Sequence, residues 1–143
     1  MTSLTQLLGL SGADLPTVLA VTGADLSARV HAFGYQGLAD ADIVEFDGGR
    51  LALSGDEVLL VQVNAAYWFP EGLTNQDLVV AVGGPGQRLR GRGGKLAKLH
   101  VAAEHGVAWE EVQGEVRYLE FFPPSDVATY ERTVYAEPPR FVE

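Results

Sequence analysis

IVEFDGGRLALSGDEVLLVQVN, residues 43–64, is the stretch that decides the fold. Runs rich in Val, Leu, Ile and Phe are separated by DGG at 47–49 and SGD at 54–56. Short β-rich runs broken by Gly and Asp are hairpin signals, so this segment is predicted to form a three-stranded antiparallel meander. Val58, Leu59, Leu60, Val61 and Val63 place apolar side chains on both alternating faces of the third run. A strand with two apolar faces is central and covered on each side.

Downstream, AYWFPEGLTN at 66–75 reads as a loop, and DLVVAV at 77–82 as a short buried strand. KLAKLHVAAEH at 95–105 fits a helix that turns Leu96, Leu99 and Ala103 inward and stops at Gly106. Two further strands fit EVRYLEFF at 115–122 and ATYERTVY at 128–135; a helix capped by Ser125 is the alternative for the second. The proline-rich tail AEPPRFVE extends neither element and is expected along the surface.

Upstream, Ser3 with Gln6 and Thr22 with Asp25 have capping-box spacing, which opens short helices. Leu26, Val30 and Phe33 share one helical face that Gly34 would end. GADL occurs at 12–15 and again at 23–26; two copies this short are too few for a solenoid and read as two helix starts with the same cap. Together these elements predict an α+β domain spanning 1–143. Its sheet is mostly antiparallel, built from the 43–64 meander and the later strands, with helices on one face and short helices at the N-terminus. The connection at 83–111 is also long enough for a parallel crossover.

Composition narrows the function. The chain has 143 residues, 47% of them hydrophobic and 20% charged, which is ordinary for one globular domain. With no run apolar enough for a bilayer and no basic leader, a cytoplasmic chain that avoids membranes is expected. The absence of cysteine removes disulfides, thiol catalysis and Cys-ligated zinc. A net charge of −9 repels nucleic acid and anionic lipid at long range, so such a contact needs a local patch of opposite sign.

Such a patch stands in GGPGQRLRGRGGKLAK, residues 83–98. It holds Arg88, Arg90, Arg92, Lys95 and Lys98, five of the ten basic side chains, and no acid occurs from Leu78 to Ala103. Glycines such as Gly84 and Gly86 let backbone N–H groups approach an anion, and arginines add paired donors for phosphate or carboxylate. The named nucleotide motifs fail. Leu89 occupies the glycine position that a P-loop requires before Gly94-Lys95, and it also stands where the dinucleotide fingerprint needs its third glycine. A solvated connecting loop is the competing reading. Nucleic acid is a weaker partner, because no aromatics are interleaved with the arginines to stack bases.

The acidic counterpart is ADADIVEFDGGRLALSGDE, with Asp40, Asp42, Glu45, Asp47, Asp56 and Glu57 against Arg50. It lacks the calcium-loop pattern, and no metal site is assigned. It is a candidate to meet the basic loop of the same or another copy. His100 and Glu104, four apart on the expected helix, are the acid–base candidates, whereas His31 and His105 read as helix-end residues. No nucleophile motif is present. Tyr67, Trp68 and Phe69 are expected in the core or at a subunit interface. The leading expectation is a non-enzymatic binding or regulatory module without cofactor. It would engage an anionic small molecule or acidic protein surface through Arg88, Arg90, Arg92, Lys95, Gly84 and Gly86. A self-associating structural protein and an enzyme using His100 and Glu104 with the arginines are the alternatives.

Overall fold

The computed structural model describes residues 3–35 and 38–135, without the side chains of 33–35 and 39. The predicted meander is present as β2 (Leu38–Phe46), β3 (Gly49–Ser54) and β4 (Glu57–Asn64). It is preceded by β1 (Val30–Tyr35) and answered by a second meander of β5 (Gln87–Arg90), β6 (Ala97–Ala102), β7 (Val107–Val112) and β8 (Glu115–Phe121). β4 pairs with β8, giving one eight-stranded sheet in the order β1-β2-β3-β4-β8-β7-β6-β5. Every pairing is antiparallel, so the parallel crossover does not occur.

Both faces of the sheet carry apolar side chains because alternate residues point to opposite sides. On one face Leu51, Leu53, Val61, Val63, Val107, Trp109, Leu119 and Phe121 form the larger core. This core is covered by α1 (Leu4–Leu8), α2 (Leu15–Thr22), α3 (Ala65–Trp68) and α4 (Asn75–Val82). The fold is thus the expected α+β class with short N-terminal helices. On the other face Ala52, Leu60, Leu99, Val101 and Ala108 meet Tyr130 of α5 (Val127–Thr133) and Val134. One helix therefore covers the second face in addition to the four on the first. No helix among the described residues is long and apolar enough to cross a membrane.

Several segments differ from expectation. Residues 77–82 belong to a helix, not a strand: Thr74 and Asp77 form a reciprocal capping box, and Gly83 closes the last turn at φ 89°. Residues 97–102 form a strand, not a helix. Ala97, Leu99 and Val101 are buried along one face, β5 and β7 pair on either side, and Leu96 is exposed. The segment 26–33 makes one 3-10 turn at Leu26–Ala28 and then enters β1. The segment 128–135 takes the helical alternative as far as Thr133, capped by Asp126 in place of Ser125. Of the two GADL copies the first opens a helix, capped by Asp14, and the second opens only the 3-10 turn, capped by Asp25. The expected Thr22 and Asp25 capping box does not form, because Thr22 bonds back to Val18 within its own helix. The Ser3 and Gln6 capping box is also present. The segment 66–75 is not a loop throughout: its first residues belong to α3, capped by Asn64, where Trp68 and the following Phe69 pack on the core and Tyr67 is exposed. The tail at 136–143 lies outside the described residues.

Candidate functional site

The basic segment runs from the end of α4 through β5 to the start of β6, at one edge of the sheet. Arg88 lies opposite His100 and Arg90 opposite Lys98, so these side chains leave one face of the β5–β6 ribbon. Arg88, Arg90, Lys95 and Lys98 are all exposed. Gly91 and Gly86 allow the ribbon to lie close. A β-carbon on Gly91 would stand 2.6 Å from the Ala97 carbonyl carbon, and one on Gly86, at φ 65°, 2.6 Å from the Val101 oxygen.

Arg92 behaves differently from its neighbours. Its backbone N–H and that of Gly93 donate to Oε1 of buried Glu110, the Gly93 bond measuring 3.2 Å. The glycine-rich backbone thus presents N–H groups to an anion, as its composition suggests, but this anion is the chain's own carboxylate. The guanidinium turns inward over Tyr118 and Tyr135, donates to Tyr118 Oη at 2.8 Å and lies 3.5 Å from Oε2 of fully buried Glu120. Tyr130 of α5 donates to the other Glu120 oxygen at 2.6 Å, and Tyr135 Oη donates to the Arg90 carbonyl at 3.0 Å. Burial opposes the Arg92 charge, but Glu120 foremost among its neighbours outweighs it and raises the guanidinium pKa further. Burial first and Glu120 second raise the Tyr118 and Tyr130 hydroxyls, which stay protonated.

The other end of β5 is held by His100, whose Nδ1 donates to the Pro85 carbonyl at 3.2 Å. Its Nε2 lies 3.2 Å from Glu111 Oε1, and its ring stacks on Trp109 at 5.4 Å. Glu111 also accepts from the Gly114 N–H at 2.7 Å. Burial lifts the Glu111 pKa, but that N–H, His100 and Lys98 together hold it below its usual range. His100 and Glu104 do not form the expected helical pair: one lies in β6, the other in the 3-10 turn after it.

The structure also separates the glycines from the arginines. Gly84 and Gly86 line a 430 Å³ cleft with Val101, Glu104, His105 and Asp126, where two carboxylates set the charge. Arg88 and Arg90 project with Lys98 and His100, on the face of β6 opposite to Val101. Arg92 is drawn inward, and Lys95 stands at the turn. His31, Asp40 and Asp42 form a separate cluster on β1 and β2, joined by Arg29.

No known family, curated protein or solved structure matches this chain. Sequence reasoning located the basic segment but missed Glu110, Glu120 and Tyr130 as the groups that hold it. The available signal was the consecutive pair Glu110-Glu111 after Trp109, which on a strand must send one carboxyl to each face.

Proposed function

We propose that the chain is a non-enzymatic binding module that receives an acidic, extended polypeptide segment along β5 and the loop to β6. One observation carries this reading. Buried Glu110 and Glu120 fix the loop from beneath through Arg92, and Arg88, Arg90, Lys95 and Lys98 stand exposed on the edge ribbon. Arg88 and Arg90 are two residues apart on a strand, a spacing of roughly 7 Å. Alternate acidic side chains of an extended segment repeat at the same spacing. Basic groups set along a strand suit such a partner better than a small anion, which is held by donors converging in a cleft. With the rest of the chain strongly acidic, this edge also steers an acidic partner to one place.

The test is binding of poly-L-aspartate to the wild type and to an Arg88→Ala/Arg90→Ala/Lys98→Ala variant, at low and high salt. The expected result is salt-sensitive binding that the triple variant loses while its fold is kept. Equal affinity of the two proteins rejects the site. Single-stranded DNA and adenosine triphosphate are parallel probes, and preference for either replaces the polypeptide with that class of anion. β1 and β5 are both edge strands, so a second copy is the alternative occupant. Light scattering in the same salt series detects it as a mass above 15.3 kDa.

A further inference from the structure

The two meanders are the same structure twice. α2 and α4 each have eight residues, begin at a side-chain cap (Asp14, Thr74) and bury their fourth residue (Val18, Leu78). Each ends at a left-handed glycine, Gly23 or Gly83, whose N–H bonds Leu19 or Val79. In the β3–β4 hairpin Gly49 faces Val63 and the register slips between Ala52 and Leu53. In the β7–β8 hairpin, 58 positions later, Val107 faces Phe121 and the slip falls between Glu110 and Glu111. The outer pairs correspond as well: Ile43 with Ala52 and Leu99 with Glu110, His31 with Asp42 and Arg90 with Lys98. Even the bond from Asn64 N–H to the Gly48 carbonyl recurs, from Phe122 to Gly106. β4 and β8 meet antiparallel with Gln62 opposite Glu120, so a pseudo-two-fold axis passes between these equivalent residues.

We infer that the chain is a duplicated α-ββββ unit in which the second copy alone was fitted as a binding edge. In this reading its buried His100, Glu110, Glu111 and Glu120 are positioning residues for an acidic partner on β5. The inference rests on the function proposed above and adds which residues prepare the edge. At the corresponding slots the first copy has Val44, Ala52, Leu53 and Gln62, the first three fully or almost fully buried. The same backbone is therefore compatible with apolar side chains at those three slots. Burying ionisable groups there costs desolvation free energy that the fold does not require. Their contacts converge on the two flanks of β5: His100, itself held by Glu111, reaches Pro85, and Glu110 and Glu120 reach Arg92 and Gly93. On the equivalent first-copy edge Asp42 stands at the slot of Lys98 with Asp40 beside it, and the two carboxylates pair with Arg29 and His31. Its basic groups are thus answered within the copy, and an acidic segment discriminates between the two edges.

The experiment places first-copy residues in the second copy of the full chain, as Glu110→Ala with Glu120→Gln and, separately, His100→Val with Glu111→Leu. Hydrogen exchange over 83–94 and affinity for poly-L-aspartate are read beside the urea unfolding midpoint. The expected result is a variant that still unfolds cooperatively, with exchange over 83–94 faster by about tenfold or more, as for a locally released segment. Its affinity for the probe falls although Arg88, Arg90, Lys95 and Lys98 are intact. Glu110→Gln keeps a carbonyl acceptor for the two N–H groups and should restore both protection and binding. Loss of the folded state in both apolar variants overturns the inference, because the groups then serve the fold. Folded variants with unchanged exchange and affinity overturn it as well. If wild type ignores poly-L-aspartate, the proposed partner falls, and the exchange data still decide whether these residues position β5.

Discussion

Glu120 shows how much a single buried residue controls. It is fully buried at the centre of the sheet and accepts from the Tyr130 hydroxyl at 2.6 Å. Tyr130→Phe removes that donor while leaving the ring in place, so the cost is that of one lost hydrogen bond to a charged group, about 1.5–3 kcal/mol. Urea denaturation of the variant checks it, and a change near zero would show the bond to be dispensable. The His31 cluster is a different case, because it lies at the surface and titrates. Nδ1 is 2.8 Å from Asp42 and Nε2 is 2.7 Å from Asp40. The Asp42 hydrogen bond, opposed by desolvation and aided by the Asp40 charge, raises the ring pKa above its ordinary 6.5. A raised folded pKa means the stabilisation is fully present below pH 6.5 and is lost as pH rises through the folded value. Asp42 is shifted the other way, below its ordinary 3.8, by His31 first and Arg29 second. Its stabilisation is therefore present above pH 3.8 and disappears as pH falls through the depressed value. An NMR titration should place the His31 midpoint above 6.5 in wild type and lower in Asp42→Asn.

At the scale of the element, α4 and β6 show what the sequence leaves ambiguous. A helix of eight residues is marginal alone and holds here through its caps and its packing. Leu78 is its fully buried anchor, so Leu78→Ala is expected to cost about 2–5 kcal/mol in a urea or thermal unfolding experiment. A cost below 1 kcal/mol, roughly the surface range, would mean that the helix does not contribute to the core. LVVAV reads as a strand by its branched residues, yet Thr74, Asp77 and Gly83 spell both ends of a helix. Cap chemistry outweighed the apolar run. In KLAKLHVAAEH, Leu96, Leu99 and Ala103 fit a helical stripe, and Ala97, Leu99 and Val101 fit strand alternation equally well. The choice between them is made by pairing with β5 and β7, which is information from distant residues. The 43–64 meander was legible because its turns and strands are local in sequence. The basic segment was legible as charge. Its anchoring by Glu110 and Glu120 was not, since those residues approach it only once β7 and β8 are folded beside β6.

For the whole molecule, duplication raises the question of whether the halves act as one or as two. The unit boundary between β4 and β8 is not a weak seam. Val61 and Val63 pair there with Phe121 and Leu119, and all four are fully buried. The larger core mixes Leu51 and Leu53 of the first copy with Trp109 and Phe121 of the second, beneath helices from both. Separating the copies would expose a continuous apolar surface and the unpaired edges of two central strands, both strongly unfavourable in water. The expected behaviour is a single cooperative transition. The two tryptophans report on it from different copies, Trp68 in α3 after the first meander and Trp109 in β7 of the second. Urea curves followed by fluorescence in Trp68→Phe and by far-ultraviolet circular dichroism in the same protein should therefore share one midpoint. If Trp109 fluorescence and circular dichroism instead separate, the fused copies retain independent stability, and the β4–β8 junction is an interface between domains and not the interior of one.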